Sequence, residues 1–189
     1  GEKGIELALS NIPDIIVSDV MMPKKNGFEV VEALKQDERT SHIPIILLTA
    51  KATQQDKVEG LKYGADAYLM KPFDKEELFI RLEKLLELRQ NLQQKYADFT
   101  PVAAPLETVN LEERFLQKLY DIAEQYYENP EFGIEELAQK SHLSRIQLYR
   151  KLKAISNQTP SQYLRTFRLH KAKNLLQRPD LNISEVAYE

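Results

Sequence analysis

The chain contains no cysteine. That absence excludes a disulfide framework, a thiolate metal site and a cysteine nucleophile, and it is compatible with a reducing compartment, so a cytoplasmic location is expected. No run approaches the roughly 20 apolar residues that span a membrane, and the N-terminus lacks the basic and apolar regions of a signal peptide. No membrane contact is expected from this segment. A glycine-rich loop of the kind that cradles nucleotide phosphates is also missing, and His42, His142 and His170 are too scattered for a metal site. The chain by itself is not expected to be an enzyme.

What is present reads as globular. The 189 residues are 42% apolar and 29% charged, ordinary usage for folded domains, and the length allows one large domain or two small ones. Net charge is −3 but very uneven. Residues 1–143 carry 17 Lys and Arg against 26 Asp and Glu, residues 144–178 carry nine basic residues and no acid, and the last eleven carry three acids and no base. A basic block inside an acidic chain is the footprint expected of a local phosphate-backbone contact, although a solvated helix face has the same composition.

From Asp14 to Phe73, short apolar runs alternate with amphipathic stretches: Ile15–Val17, Phe28–Lys35, Ile45–Leu48, Lys57–Tyr63 and Tyr68–Met70. The order is β-α-β-α-β. The apolar runs are near-continuous, as in parallel strands covered on both faces by helices. Capping-box spacing predicts helix starts at Asn26 with Glu29, Thr53 with Asp56 and Asp74 with Glu77, and Gly64 is a C-terminal stop. A long helix then runs through Leu78, Leu82, Leu85 and Leu92 to about Tyr96. This seam either covers the sheet or serves a homodimer through the Lys75 to Tyr96 helix.

The stretch Thr100–Pro105 has two prolines and no charge, so it reads as an extended linker. We place a first domain at 1–96, a linker at 97–110 and an all-helical domain at 111–189, with helices over Leu111–Glu128, Ile134–Ser141, Arg145–Ile155 and Pro160–Gln177. Asn110 with Glu113, Ser144 with Gln147, and Thr159 with Gln162 have box spacing, and Pro160 stands at a first helical position. The pattern Ile-x-Glu-aliphatic-Ala occurs at Ile134–Ala138 and again at Ile183–Ala187.

In open α/β sheets, ligands bind beyond the carboxyl ends of the strands. The polar residues ending the three apolar runs are Asp19, Thr49 and Lys71. A carboxylate, a hydroxyl and an ammonium on one sheet edge are the parts needed to accept a phosphoryl group, and equally the parts of an ordinary ion pair with a capping threonine. The segments Ile15–Pro23, Leu47–Ala50 and Gly64–Phe73 resemble the receiver domain of two-component response regulators. That resemblance implies a doubly wound parallel sheet, with Asp19 as phosphoacceptor, Thr49 turning toward the phosphoryl oxygens, Tyr68 as an aromatic switch and Lys71 as the phosphate-pairing cation. It also implies that Asp19 and the backbone carbonyl of Met21 contribute to a Mg²⁺ site. Gly1–Leu9 resembles the family's second helix, so the family's first two strands and the acidic pair that completes the metal site have no counterpart. Metal binding by this segment is expected to be weak, and the Ile15–Ser18 strand to present an apolar edge.

Helix, short turn, helix is the arrangement in which the second helix enters the DNA major groove. Here that helix is Arg145–Ile155: Leu148, Leu152 and Ile155 share one side, and Ile146, Tyr149, Arg150 and Lys153 another. The segments Ser144–Lys153, Thr159–Arg165 and Arg168–Ala172 resemble the AraC-type DNA-binding domain, whose second helix-turn-helix unit would begin near Ile183. Arg145, Ile146, Tyr149 and Arg150 are expected at base edges, and Lys151 and Lys153 at phosphates. Receiver and AraC-type module in this order are similar both to stand-alone regulators and to hybrid sensors that carry a histidine kinase upstream. The expected partners are double-stranded DNA and a histidine kinase phosphodonor, in cis or in trans. A protein-interaction module with a basic helix is the competing reading.

Overall fold

The computed structural model describes residues 1–50, 63–97, 110–177 and 183. Two compact units divide the chain, Gly1–Phe99 with Ala154–Asn157, and Thr100–Lys153 with Gln158–Glu189. The Thr53 cap and the body of the Pro-bearing linker lie outside the described residues.

The first unit contains helix α1 (Glu2–Asn11), strand β1 (Ile16–Asp19), helix α2 (Gly27–Gln36), strands β2 (Ile45–Thr49) and β3 (Ala67–Met70), and the long helix α3 (Lys75–Tyr96). The three strands are parallel in the order β1-β2-β3, with Ile16 opposite Ile45 and Ile46 opposite Ala67. Alternation across the strands sends residues to two cores. Ile45 and Leu47 pack with Ala8 of α1 and with Val30, Val31 and Leu34 of α2, whereas Ile46, Ala67 and Leu69 pack with Leu85 of α3. Helices on both faces make this the expected doubly wound sheet. Burying each of the larger aliphatic side chains contributes about 1.5–3 kcal/mol.

The leucine seam of α3 divides along its length. Leu78, Leu82 and Leu85 cover the sheet beside Phe73, while Leu92 is half-buried. Arg89 pairs with Asp14 at 2.7 Å, joining α3 to the segment before β1. At the opposite pole of the sheet from Asp19, Lys35 bonds the Ile43 carbonyl at 2.9 Å and pairs with Asp66 at 2.7 Å, and Asp66 accepts the Ile45 N–H. Among the described strands β1 is an edge, and its Val17 is 48% exposed.

The second unit holds α4 (Leu111–Tyr126), α5 (Ile134–Lys140), α6 (Arg145–Ser156) as far as Lys153, and α7 (Pro160–Leu175). Phe115, Leu116, Leu119 and Ala123 of α4, Leu137 of α5, Leu148 and Leu152 of α6, and Leu164 and Phe167 of α7 are buried. Tyr120 meets Phe167 edge-on at 5.1 Å. The α5–α6 turn closes through two bonds, His142 N–H to the Gln139 carbonyl and Leu143 N–H to the Ala138 carbonyl, each at 3.0 Å, with His142 left-handed at φ 61°. This bond pattern is a Schellman closure.

Reciprocal capping boxes form at Asn26–Glu29, Ser144–Gln147 and Thr159–Gln162, and Asn110 accepts the Glu113 N–H. The expected box at Asp74 is corrected: Asp74 precedes α3, but its side chain makes no capping hydrogen bond.

Candidate phosphoacceptor site and nucleic-acid interface

Parallel pairing brings the carboxyl ends of the strands to one edge. Asp19 ends β1, Thr49 ends β2, and Lys71 follows Met70 at the end of β3. Backbone bonds from Val20 N–H to the Leu48 carbonyl and from Lys71 N–H to the Thr49 carbonyl, both 2.8 Å, fix the three ends together. The Lys71 ammonium bonds one Asp19 oxygen, and the Met21 N–H donates to the other at 3.1 Å. Lys71 first, and then the Met21 N–H, hold the Asp19 carboxyl below the usual carboxylate range. Asp19 thus presents an ionised, oriented and about one-third exposed carboxylate.

Tyr68 lies on the α2 side of the sheet, packed against that core. Its hydroxyl is buried with no partner among the described residues, and burial pushes it up to about 12. An unpaired buried hydroxyl is a costly state.

Gly27 went unnoticed in the sequence. A Cβ there would stand 2.5 Å from the Asp19 carbonyl oxygen and 2.8 Å from the Val20 Cα, so α2 abuts the backbone that carries the Asp19 carboxylate. The available signal was a glycine at the first turn of an otherwise well-capped helix, where its helix propensity is poor.

The Asp19 carboxylate and the Met21 carbonyl are two oxygens, whereas Mg²⁺ takes six in near-octahedral array. Among the described residues no group of three or more His, Asp or Glu could hold a metal ion. These residues alone do not complete a Mg²⁺ site.

In the second unit, α6 has two faces. Leu148, Lys151, Leu152 and Ile155 are all fully buried, while Ile146, Tyr149 and Arg150 are exposed. Lys151 as a phosphate contact is therefore corrected: it sits at i+3 from Leu148, on the packing stripe, with its ammonium 4.0 Å from the Phe115 ring centroid. Arg145 is exposed and pairs with Glu135 at 2.7 Å, a partner the sequence did not flag. Lys153 is half-buried. In α7, Arg168 bonds the Phe132 carbonyl at 2.8 Å and Lys171 pairs with Glu124, so part of the basic block serves the fold. No helix among the described residues is long and apolar enough to cross a membrane.

Residues 1–83 match the response regulator receiver domain, and residues 137–189 match the helix-turn-helix domain. The chain thus resembles a receiver segment followed by a helix-turn-helix segment. Among curated relatives, Histidine kinase P4 of Formosa agariphila is 36% identical over all of this chain and 14% of its own length. The DNA-binding dual master transcriptional regulator RpaA of Synechocystis sp. is 47% identical over 50% of this chain and 39% of its own. Response regulator ArlR of Staphylococcus haemolyticus is 40% identical over 59% and 48%. The chain thus spans less than half the length of each. The Francisella response regulator 1452 receiver domain is similar at TM-score 0.42 and 37% identity. The receiver domain of the Pseudomonas aeruginosa sensor histidine kinase PA1611, solved with magnesium in its active-site cleft, is similar at 0.43 and 30%. Each of these two structures covers 46% of this chain, which covers 70% of it.

Proposed function

We propose that this chain is a phosphorylation-controlled, sequence-specific DNA-binding transcription regulator of a two-component phosphorelay, acting in the cytoplasm. The observation that carries the reading is the Asp19–Lys71 pair at the carboxyl edge of the sheet, in one chain with a helix-turn-helix unit whose second helix keeps an exposed face. An Asp19 oxygen attacks the phosphorus of a phosphohistidine donor; the O–P bond forms, the N–P bond breaks, and the donor imidazole recovers its lone pair. The acyl phosphate then places new negative charge beside Lys71 and offers acceptor oxygens to Thr49, the change that Tyr68 is suited to register. When Mg²⁺ is bound in a receiver with its acidic pair, it supplies charge neutralisation at those oxygens.

The test is mass spectrometry of the full-length parent after incubation with a small phosphodonor and Mg²⁺. One added phosphoryl group, absent in Asp19→Asn, is expected; unchanged labelling in that variant overturns the assignment. Likeness to a histidine kinase over the whole chain favours a hybrid parent in which the donor lies in cis. A reading frame upstream of Gly1 that encodes no kinase would reject that form alone. The exposed Leu86 and Leu88 of α3 support a homodimer through that helix, checked by sedimentation of Leu88→Glu: a dimer that survives the change removes the proposal.

A further inference from the structure

The first turns of α6 present an apolar pair inside an acid-free block. Ile146 is 62% exposed and Tyr149 47% exposed, and their i, i+3 spacing puts them side by side. Their polar neighbours are partly committed. Gln147 is held in the cap, its Oε1 accepting the Ser144 N–H at 2.9 Å and its own N–H donating to Ser144 Oγ, and Arg145 pairs with Glu135. The face that remains for a ligand is two apolar side chains bordered by Arg145 and Arg150.

Resting on the DNA reading above, we propose that Ile146 and Tyr149 are specificity-determining residues that recognise the 5-methyl groups of thymines. On the major-groove edge of B-DNA the thymine methyl is the apolar group, the other base positions being hydrogen-bond donors and acceptors. A branched aliphatic side chain and a tyrosine ring one helical turn apart match methyls on neighbouring base pairs. Arg150, next along the same side, is placed for the O6 and N7 of a guanine beside them. The target half-site is therefore a thymine-containing step adjacent to guanine, with affinity drawn from methyl burial as well as from phosphates.

The test selects duplexes from a random pool with the full chain and then replaces thymines one at a time by deoxyuridine, which deletes the methyl and leaves base pairing intact. At one or two positions binding should weaken about fourfold, the share of one buried methyl group. Ile146→Ala or Tyr149→Ala should each erase the thymine–uracil difference at its own position, while Leu169→Ala, an exposed leucine on α7, leaves both differences intact. Circular dichroism checks that these surface variants stay folded. Equal affinity for thymine and uracil duplexes at every position overturns the inference and leaves the DNA reading standing, as does undiminished binding by both α6 variants, the outcome expected if the pair serves a protein partner. Failure to bind any duplex overturns both.

Discussion

The Lys71 hydrogen bond holds the Asp19 carboxyl below its ordinary range. A depressed folded-state value means that the pair's contribution to stability is present above the unfolded carboxylate's titration and is lost as pH falls through the lowered value. Lys71→Met should therefore raise the Asp19 titration toward the ordinary value, followed by carbon-detected NMR of the side-chain carboxyl; an unmoved titration would assign the depression to the Met21 N–H alone. Lys151 calls for the opposite treatment. It is fully buried over Phe115, so its alkyl stem packs where a hydrophobic residue would. Lys151→Ala should lower unfolding free energy by about 1–3 kcal/mol, measured by urea denaturation. A phosphate contact would instead lose a unit of salt dependence with stability intact. Composition hides this because a charged residue ordinarily marks solvent, although the period of 3.6 puts position 151 on the stripe of Leu148, Leu152 and Ile155.

Among the elements, those set by local chemistry were readable and those set by tertiary contact were not. Asn26, Asn110, Ser144 and Thr159 cap as their spacing requires because donor and acceptor lie within one turn. Asp74 has the same spacing but no capping bond; spacing permits the bond, and the side-chain rotamer decides it. The leucines of α3 fit a dimer seam and a sheet cover equally well as a pattern, and only the fold assigns Leu78, Leu82 and Leu85 to the sheet. The α5–α6 turn supplies a prediction at this scale. His142 occupies the left-handed position of a Schellman closure at φ 61°, where a side chain costs roughly 1–2 kcal/mol and glycine is the usual occupant. His142→Gly should raise stability by about 0.5–1 kcal/mol after the greater entropy of glycine in the unfolded chain is deducted, with thermal unfolding as the readout. A loss of stability would mean that the imidazole makes contacts worth more than the backbone relief.

Across the whole molecule, the polar edge of Asp19, Thr49 and Lys71 was legible because a parallel sheet must bring its carboxyl ends together, so three polar residues closing three apolar runs had to meet. The extent of the proposed DNA interface was not, since a count of basic residues does not separate those that face solvent from those that hold the fold. Nine basic residues lie between 144 and 178, yet Lys151 is buried, Arg168 bonds the Phe132 carbonyl and Lys171 pairs with Glu124. The other six set an upper bound on what can reach nucleic acid, with Arg145 paired to Glu135 at the surface and Arg150 assigned to a base edge. Each phosphate neutralised contributes about −0.9 to the slope of log K against log salt, so the full chain should show a slope no steeper than about −5, against about −8 if all nine reached the backbone. Titrations of one duplex at three or more salt concentrations measure it. Arg165 and Lys173, exposed along α7, should each flatten the slope by about one unit when replaced by alanine, whereas Lys171→Ala should leave it unchanged and act on stability through the lost Glu124 pair and the nearby rings of Tyr127 and Phe167. A slope near −8, or a flattening by Lys171→Ala equal to that of Arg165→Ala, would reject this division of the basic block between the fold and the DNA.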